Sequence, residues 1–84
     1  MEKKVKARQN RAIGAHLSVW GSITSIDAFR MYEITRLSAR IWDLRHIYGW
    51  KIKSTNAQVE TKWGLTTVTR YELVEAKDLA EVTA

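Results

Sequence analysis

The 84-residue chain has no cysteine and no proline, and only four glycines. Without cysteine there is no disulfide framework and no thiolate metal site, which fits a reducing compartment. Without proline, the glycines become the main punctuation between elements. No stretch approaches the roughly 18 apolar residues of a membrane span. The N-terminal "MEKKVKARQNR" is basic but lacks the apolar run of a secretory signal. These absences lead us to expect a soluble, cytoplasmic protein. There is no internal repeat and no low-complexity segment. A chain this short makes one domain with a small core, so each large apolar residue counts.

Charge is plentiful and unevenly placed. The net charge is +5. Residues 1–53 hold 11 Lys+Arg against 4 Asp+Glu, whereas residues 54–84 hold 3 against 5. A basic front and an acidic tail suggest a polyanionic partner for the front. Ordinary solubility charge is the competing explanation.

Periodicity divides the chain. Residues 3–19 read as a helix, with Val5, Ala12, Ile13, His16, Leu17 and Trp20 on one side at helical spacing. Gly14 is expected to face away from the core, and Gly21 to end the helix. "GSIT" follows as a short extended piece with Ile23 inward. "TSID" resembles a capping box, with Thr24 as N-cap and Asp27 in the first turn. A second helix then runs over residues 25–32, with Ser25, Ala28, Phe29 and Tyr32 as its inner face. Glu33-Ile34 is a tight turn. Thr35 is the expected N-cap of a third helix, residues 36–48, whose Ile34, Leu37, Ile41, Leu44 and Tyr48 form a narrow core arc. Gly49 sits where a left-handed C′ residue belongs.

After Gly49 the period changes to two. Trp50 and Ile52 alternate with Lys51 and Lys53. Thr69, Tyr71 and Leu73 alternate with Val68, Arg70, Glu72 and Val74. These are two antiparallel strands joined by a link over residues 55–65. The predicted class is mainly α with a small antiparallel β wing: three helices plus a β-hairpin. The domain covers residues 1–74, and residues 75–84 form an acidic tail, either one helical turn or disordered.

The stretch "ITRLSARIWDLRHIYGW", Ile34 to Trp50, carries Arg36, Arg40 and Arg45 with Trp42 and Trp50. Opposite its core arc lie Thr35, Ala39, Trp42, Asp43 and His46, flanked by Arg36, Ser38 and Arg40. A solvated helix face usually mixes Lys and Glu in i,i+4 pairs. Here the first two turns hold no acid until Asp43. Short residues allow close approach to a groove wall, and arginine forks onto guanine edges or phosphate. In helix-turn-helix proteins, the N-terminal part of the second motif helix reads the major groove. Double-stranded DNA is the expected partner.

"GSITSIDAFRMYEITRLSARIWDLRHIYGWKI", Gly21 to Ile52, resembles the small winged helix-turn-helix domains common in phage and prophage proteins. "SITS", "ITRLSARI", "DLR" and the following Gly-aromatic pair carry the resemblance. It implies a winged-helix fold and DNA binding, but neither a defined operator nor a biological role. Together with the residue reading it leads us to expect a DNA-binding protein of phage or prophage origin, regulatory or architectural, in a bacterial cytoplasm and on the nucleoid. One departure stands out: members often carry glycine before "ITR", and Glu33 stands there.

The candidate DNA-binding residues are Thr35, Arg36, Ser38, Ala39, Arg40 and Trp42 on the third helix, with Lys51, Lys53, Lys62 and Arg70 on the wing. Arg40 lies nearer the core border, where pairing with Asp27 or Glu33 is the alternative. Trp42 meets DNA or a protein, or packs on the first helix or the tail. The wing lysines hold backbone or minor groove, or simply protect an edge strand. Lys3, Lys4, Lys6, Arg8 and Arg11 add phosphate contacts or form a solvated face. Trp63 at the wing tip is hard to bury. A protein-interaction module on the same fold is the rival function, with Trp42, Trp63 and the acidic tail at its interface. RNA binding is a third option, although the aromatic platform for single strands is missing. A homodimer or a host or phage protein are further candidate partners. We find no phosphate loop, nucleophile elbow or metal cluster, so no enzyme activity, cofactor, membrane or small-molecule substrate is expected.

Overall fold

The computed structural model describes residues 2–77. Its elements are α1 (Glu2–Trp20), β1 (Ser22–Thr24), α2 (Ser25–Tyr32), α3 (Leu37–His46), β2 (Lys51–Thr61) and β3 (Gly64–Glu75). No helix among the described residues is long and apolar enough to cross a membrane. Most of the expected tail, residues 78–84, lies outside the described residues.

The core forms where α1, β1 and α3 converge. Ile13 and Leu17 from α1, Ile23 from β1, and Ile41 and Leu44 from α3 are its largest fully buried side chains. Each such side chain contributes on the order of 1.5–3 kcal/mol by leaving water. The expected arc of α3 is buried throughout, from Ile34 to Tyr48. α1 packs on α3, β1 and β3 together. Its buried arc is therefore wider than one stripe and takes in Asn10 and Gly14. The expectation that Gly14 faces away is overturned by this two-sided packing. Val5 and Trp20, expected inside, are exposed toward either end of the same helix, Val5 at the edge of a groove shared with Thr35 and Arg36 and Trp20 beside His16. Phe29 is also exposed, because the short α2 meets the core through Ala28 and Tyr32.

α2 begins as the sequence implies. Asp27 N–H donates to Thr24 Oγ1 at 3.2 Å, and Thr24 N–H donates to Asp27 Oδ2 at 3.1 Å. Both halves of the capping box are present, and the helix spans residues 25–32. It ends on Glu33, which adopts φ 57°, ψ 32°, the left-handed region. The glycine of the resembled family is thus replaced at a position where glycine suits the backbone.

α3 is shorter than expected. Its N-cap is Arg36, not Thr35, with φ −116° and ψ 56° and no side-chain cap. Ile34 is anchored instead by its N–H on Ala28 O, 3.1 Å. This tight turn consumes Thr35 before helical geometry starts. At the other end Tyr48 N–H reaches Asp43 O and Trp50 N–H reaches Leu44 O, at 3.2 and 2.8 Å. That wide turn ends α3 at His46 and is completed by Gly49 at φ 74°.

The sheet has three strands in the order β1-β3-β2, all antiparallel. The short extended piece after Gly21 pairs with β3, Ile23 opposite Tyr71. The hairpin is longer than expected. Residues 55–61 and 64–69, read as mostly linker, are paired from Thr55↔Arg70 to Thr61↔Gly64. Only Lys62 and Trp63 remain as the loop. These segments are largely exposed, so cross-strand pairing, not core burial, defines them.

Candidate nucleic-acid interface

α2 and α3, joined by Glu33–Arg36, form a helix-turn-helix, and β2–β3 forms the wing behind it. The open side of α3 carries Ser38, Trp42 and His46, with Arg36 and Thr35 at its entrance, all exposed. Ala39 is half-buried. Trp42 is 55 % exposed, and its ring lies 4.7 Å from that of His46, centroid to centroid. It does not pack into the core.

Two residues expected on this open side are inside. Arg40 and Asp43 are buried, and Arg40 Nη2 lies 3.3 Å from Asp43 Oδ2. Arg40 Nη1 donates to Gln9 Oε1 at 3.2 Å, and Asn10 Nδ2 donates to Asp43 Oδ2 at 3.3 Å. Arg40 therefore pairs with neither Asp27 nor Glu33, and it is not free to reach a groove. The cause is α1: Gln9 and Asn10 turn toward α3 and supply polar partners in place of solvent. Asn10 stands three residues before the core residue Ile13, which marks it as inward-facing but not as a partner of α3. The physical effect is to hide the one acid of α3 and neutralise it locally.

The first helix meets the start of α3 across a groove of about 460 Å³. Lys6, Gln9, Glu33, Thr35 and Arg36 line it. Lys6, Arg8 and Arg11 of the basic N-terminal run are exposed. The side chains of Lys3 and Lys4 fall outside the described residues.

Arg45 fastens the wing to α3. Its Nε and Nη2 both donate to Ile52 O, at 3.0 and 2.7 Å, and Nη2 also donates to Ser54 Oγ at 2.9 Å. The guanidinium lies 5.8 Å from the centroid of the Tyr71 ring. This fork fixes the angle at which β2 leaves the helix. Trp50 is buried and Tyr71 packs against the core at the base of the wing.

The wing cations divide into two pairs. Lys51 Nζ lies 3.5 Å from Glu75 and Lys53 Nζ 3.8 Å from Glu72, both exposed cross-strand pairs. Lys62 and Arg70 take part in no ion pair among the described residues. Lys62 Nζ sits 5.5 Å from the centroid of Trp63 at the tip.

A helix-turn-helix followed by a paired hairpin, with a third strand supplied from before the motif, defines a winged helix-turn-helix domain. A family model for a winged helix-turn-helix domain matches residues 8–76, and the chain belongs to that family. The match takes in β1–β3, both motif helices and most of α1. Searches of curated proteins and of solved structures give no significant match. Membership of this family suggests DNA binding.

Proposed function

We propose that this protein is a DNA-binding regulator of phage or prophage origin, which inserts α3 into the major groove and lays its wing on the backbone. One observation carries the reading. Every exposed side chain from Thr35 through His46 is neutral or basic, while Asp43, the only acid in that span, is buried against Arg40 and Asn10. A helix face without exposed carboxylate approaches phosphates without repulsion. In this reading Arg36 and Ser38 lie closest to base edges or flanking phosphates. Thr35 and Ala39 line the groove wall, and Trp42 packs on it. Lys6, Arg8 and Arg11 on α1 and Lys62 and Arg70 on the wing hold phosphates. Lys51 and Lys53 contribute less, because Glu75 and Glu72 sit beside them. The phage context rests on the resemblance of Gly21–Ile52.

The test is fluorescence anisotropy with random-sequence duplex at low and moderate salt. Wild type should bind at about micromolar affinity and weaken as salt rises. Arg36→Glu should abolish binding while leaving the fold intact. Absence of binding at low salt would overturn the reading.

A second reading is favoured by one feature. Trp42 on α3 and Ile47 at its C-cap, both at least half-exposed, place apolar surface along the motif helix and its end. On a protein-interaction module they would anchor a partner, and Arg36→Glu would leave that partner bound while Trp42→Ala released it.

A further inference from the structure

We propose that Trp63 is a base-stacking wedge, carried by the wing into a groove of the bound duplex, where it opens a base step and kinks the DNA. This rests on the DNA-binding reading above and adds a defined deformation to it. Trp63 is 87 % exposed, more than any other exposed large apolar side chain of the described residues. Its position is nevertheless fixed. Trp63 N–H donates to Thr61 Oγ1 at 3.1 Å, and Thr61 Oγ1 donates to Gly64 O at 2.9 Å. Gly64 adopts φ 109°, a conformation that side chains rarely allow, and closes the two-residue loop. A rigid turn that presents an unpacked indole is pre-organised for insertion.

Reach and charge both suit a groove. Ile52 is the last buried residue of β2, and the strand continues to Thr61. At about 3.3 Å per residue the tip stands roughly 30 Å beyond the core. That is close to one turn of B-DNA, about 34 Å, so a wing starting beside α3 spans the phosphate ridge next to its groove. The shaft is nearly neutral. Residues 54–61 and 65–69 hold one charged side chain, Glu60, among hydroxyl and amide groups that can donate to phosphates. Lys62 covers one side of the indole and leaves the other open for a base. An apolar protein partner is the poorer fit, because the tip offers Trp63 and Leu65 alone, far short of a standard interface.

The experiment compares matched duplex with the same duplex carrying one central mismatch, end-labelled for energy transfer, on wild type, Trp63→Ala and Trp63→Phe. A mismatched step is already partly unstacked and costs less to open. Wild type should favour the mismatched duplex and shorten its end-to-end distance. Loss of one base stack should weaken binding to it by roughly tenfold. Trp63→Ala should therefore lose both the preference and the bend, while matched-duplex binding keeps its salt dependence. Trp63→Phe should retain part of each. Because the tip supports no core contact, unfolding curves of the three proteins should coincide. If Trp63→Ala bends and discriminates as wild type does, the wedge is overturned and the DNA-binding reading survives. If wild type binds neither duplex at low salt, both fall together.

Discussion

Arg40 and Asp43, three residues apart on α3, face each other at 3.3 Å with both side chains 8 % exposed. Asn10 and Gln9 complete the set from α1, so the pair joins the first helix to the motif helix. Removing one member of such a pair leaves a buried charge, which costs about 3–5 kcal/mol. That is a large part of the 5–15 kcal/mol typical of a whole domain. Asp43→Ala should lower the urea midpoint of tryptophan fluorescence steeply. The double replacement Arg40→Met with Asp43→Leu should cost less than Asp43→Ala, the remaining loss coming from buried Asn10, whose side-chain N–H loses its acceptor. A single replacement costing under about 1 kcal/mol would mean that the pair is solvated.

Glu33 holds a left-handed conformation at the end of α2. For a side chain with Cβ this costs about 1–2 kcal/mol, and part of that gain is offset by the greater freedom of glycine in the unfolded chain. Glu33→Gly should stabilise by up to about 1 kcal/mol, read as a higher urea midpoint at unchanged slope. Glu33→Ala should not, because alanine keeps the strain.

His16 is buried on the inner side of α1 and shares a 2.8 Å hydrogen bond with the Tyr32 hydroxyl, the two rings meeting edge to face. Tyr32→Phe keeps the ring contact and removes the hydroxyl. The imidazole nitrogen is then left without its partner, at a cost of about 1–3 kcal/mol. Thermal unfolding should show the loss, and DNA affinity below the transition should be unchanged.

What could be read from the residues depended on whether a local cause fixed the outcome. Thr24 and Asp27 sit at capping-box spacing, so the start of α2 was legible, and the narrow arc from Ile34 to Tyr48 gave the inner side of α3. Gly49 marked its end, although the helix itself stops three residues earlier. The distal wing was not legible. "TNAQVET" does alternate, with Thr55, Ala57, Val59 and Thr61 on the half-buried face, but only Ala57 and Val59 are apolar, so the period is weak and pairing with residues 64–70 makes it a strand. The same limit governs the site. Arg36, Ser38 and Trp42 stand exposed where the helical spacing put them, but Arg40 and Asp43 were misplaced to the open side. Their burial depends on how closely α1 approaches, and spacing within one helix carries no information about that distance. Thr35 was misassigned as the cap because Ile34 N–H reaches back to Ala28 O and tightens the turn by one residue.

The division of the wing cations yields a salt-dependence prediction. Each phosphate contact contributes about 0.9 to the slope of log Kobs against log salt. Lys62 and Arg70 have no carboxylate partner among the described residues, so each would release a counterion in full on meeting DNA. Lys51 and Lys53 already neighbour Glu75 and Glu72 at 3.5 and 3.8 Å. Exposed pairs of this kind are weak, yet a nearby carboxylate repels the phosphate that the lysine would attract. Lys62→Ala and Arg70→Ala should therefore flatten the slope by nearly 0.9 each, whereas Lys51→Ala and Lys53→Ala should change it by much less. The converse variants separate local pairing from position on the wing: Glu72→Gln and Glu75→Gln should steepen the slope and tighten binding at low salt. If the acidic replacements do nothing and all four cation replacements act alike, the wing lies on DNA along its base as well as its tip, and the cross-strand pairs do not tune it.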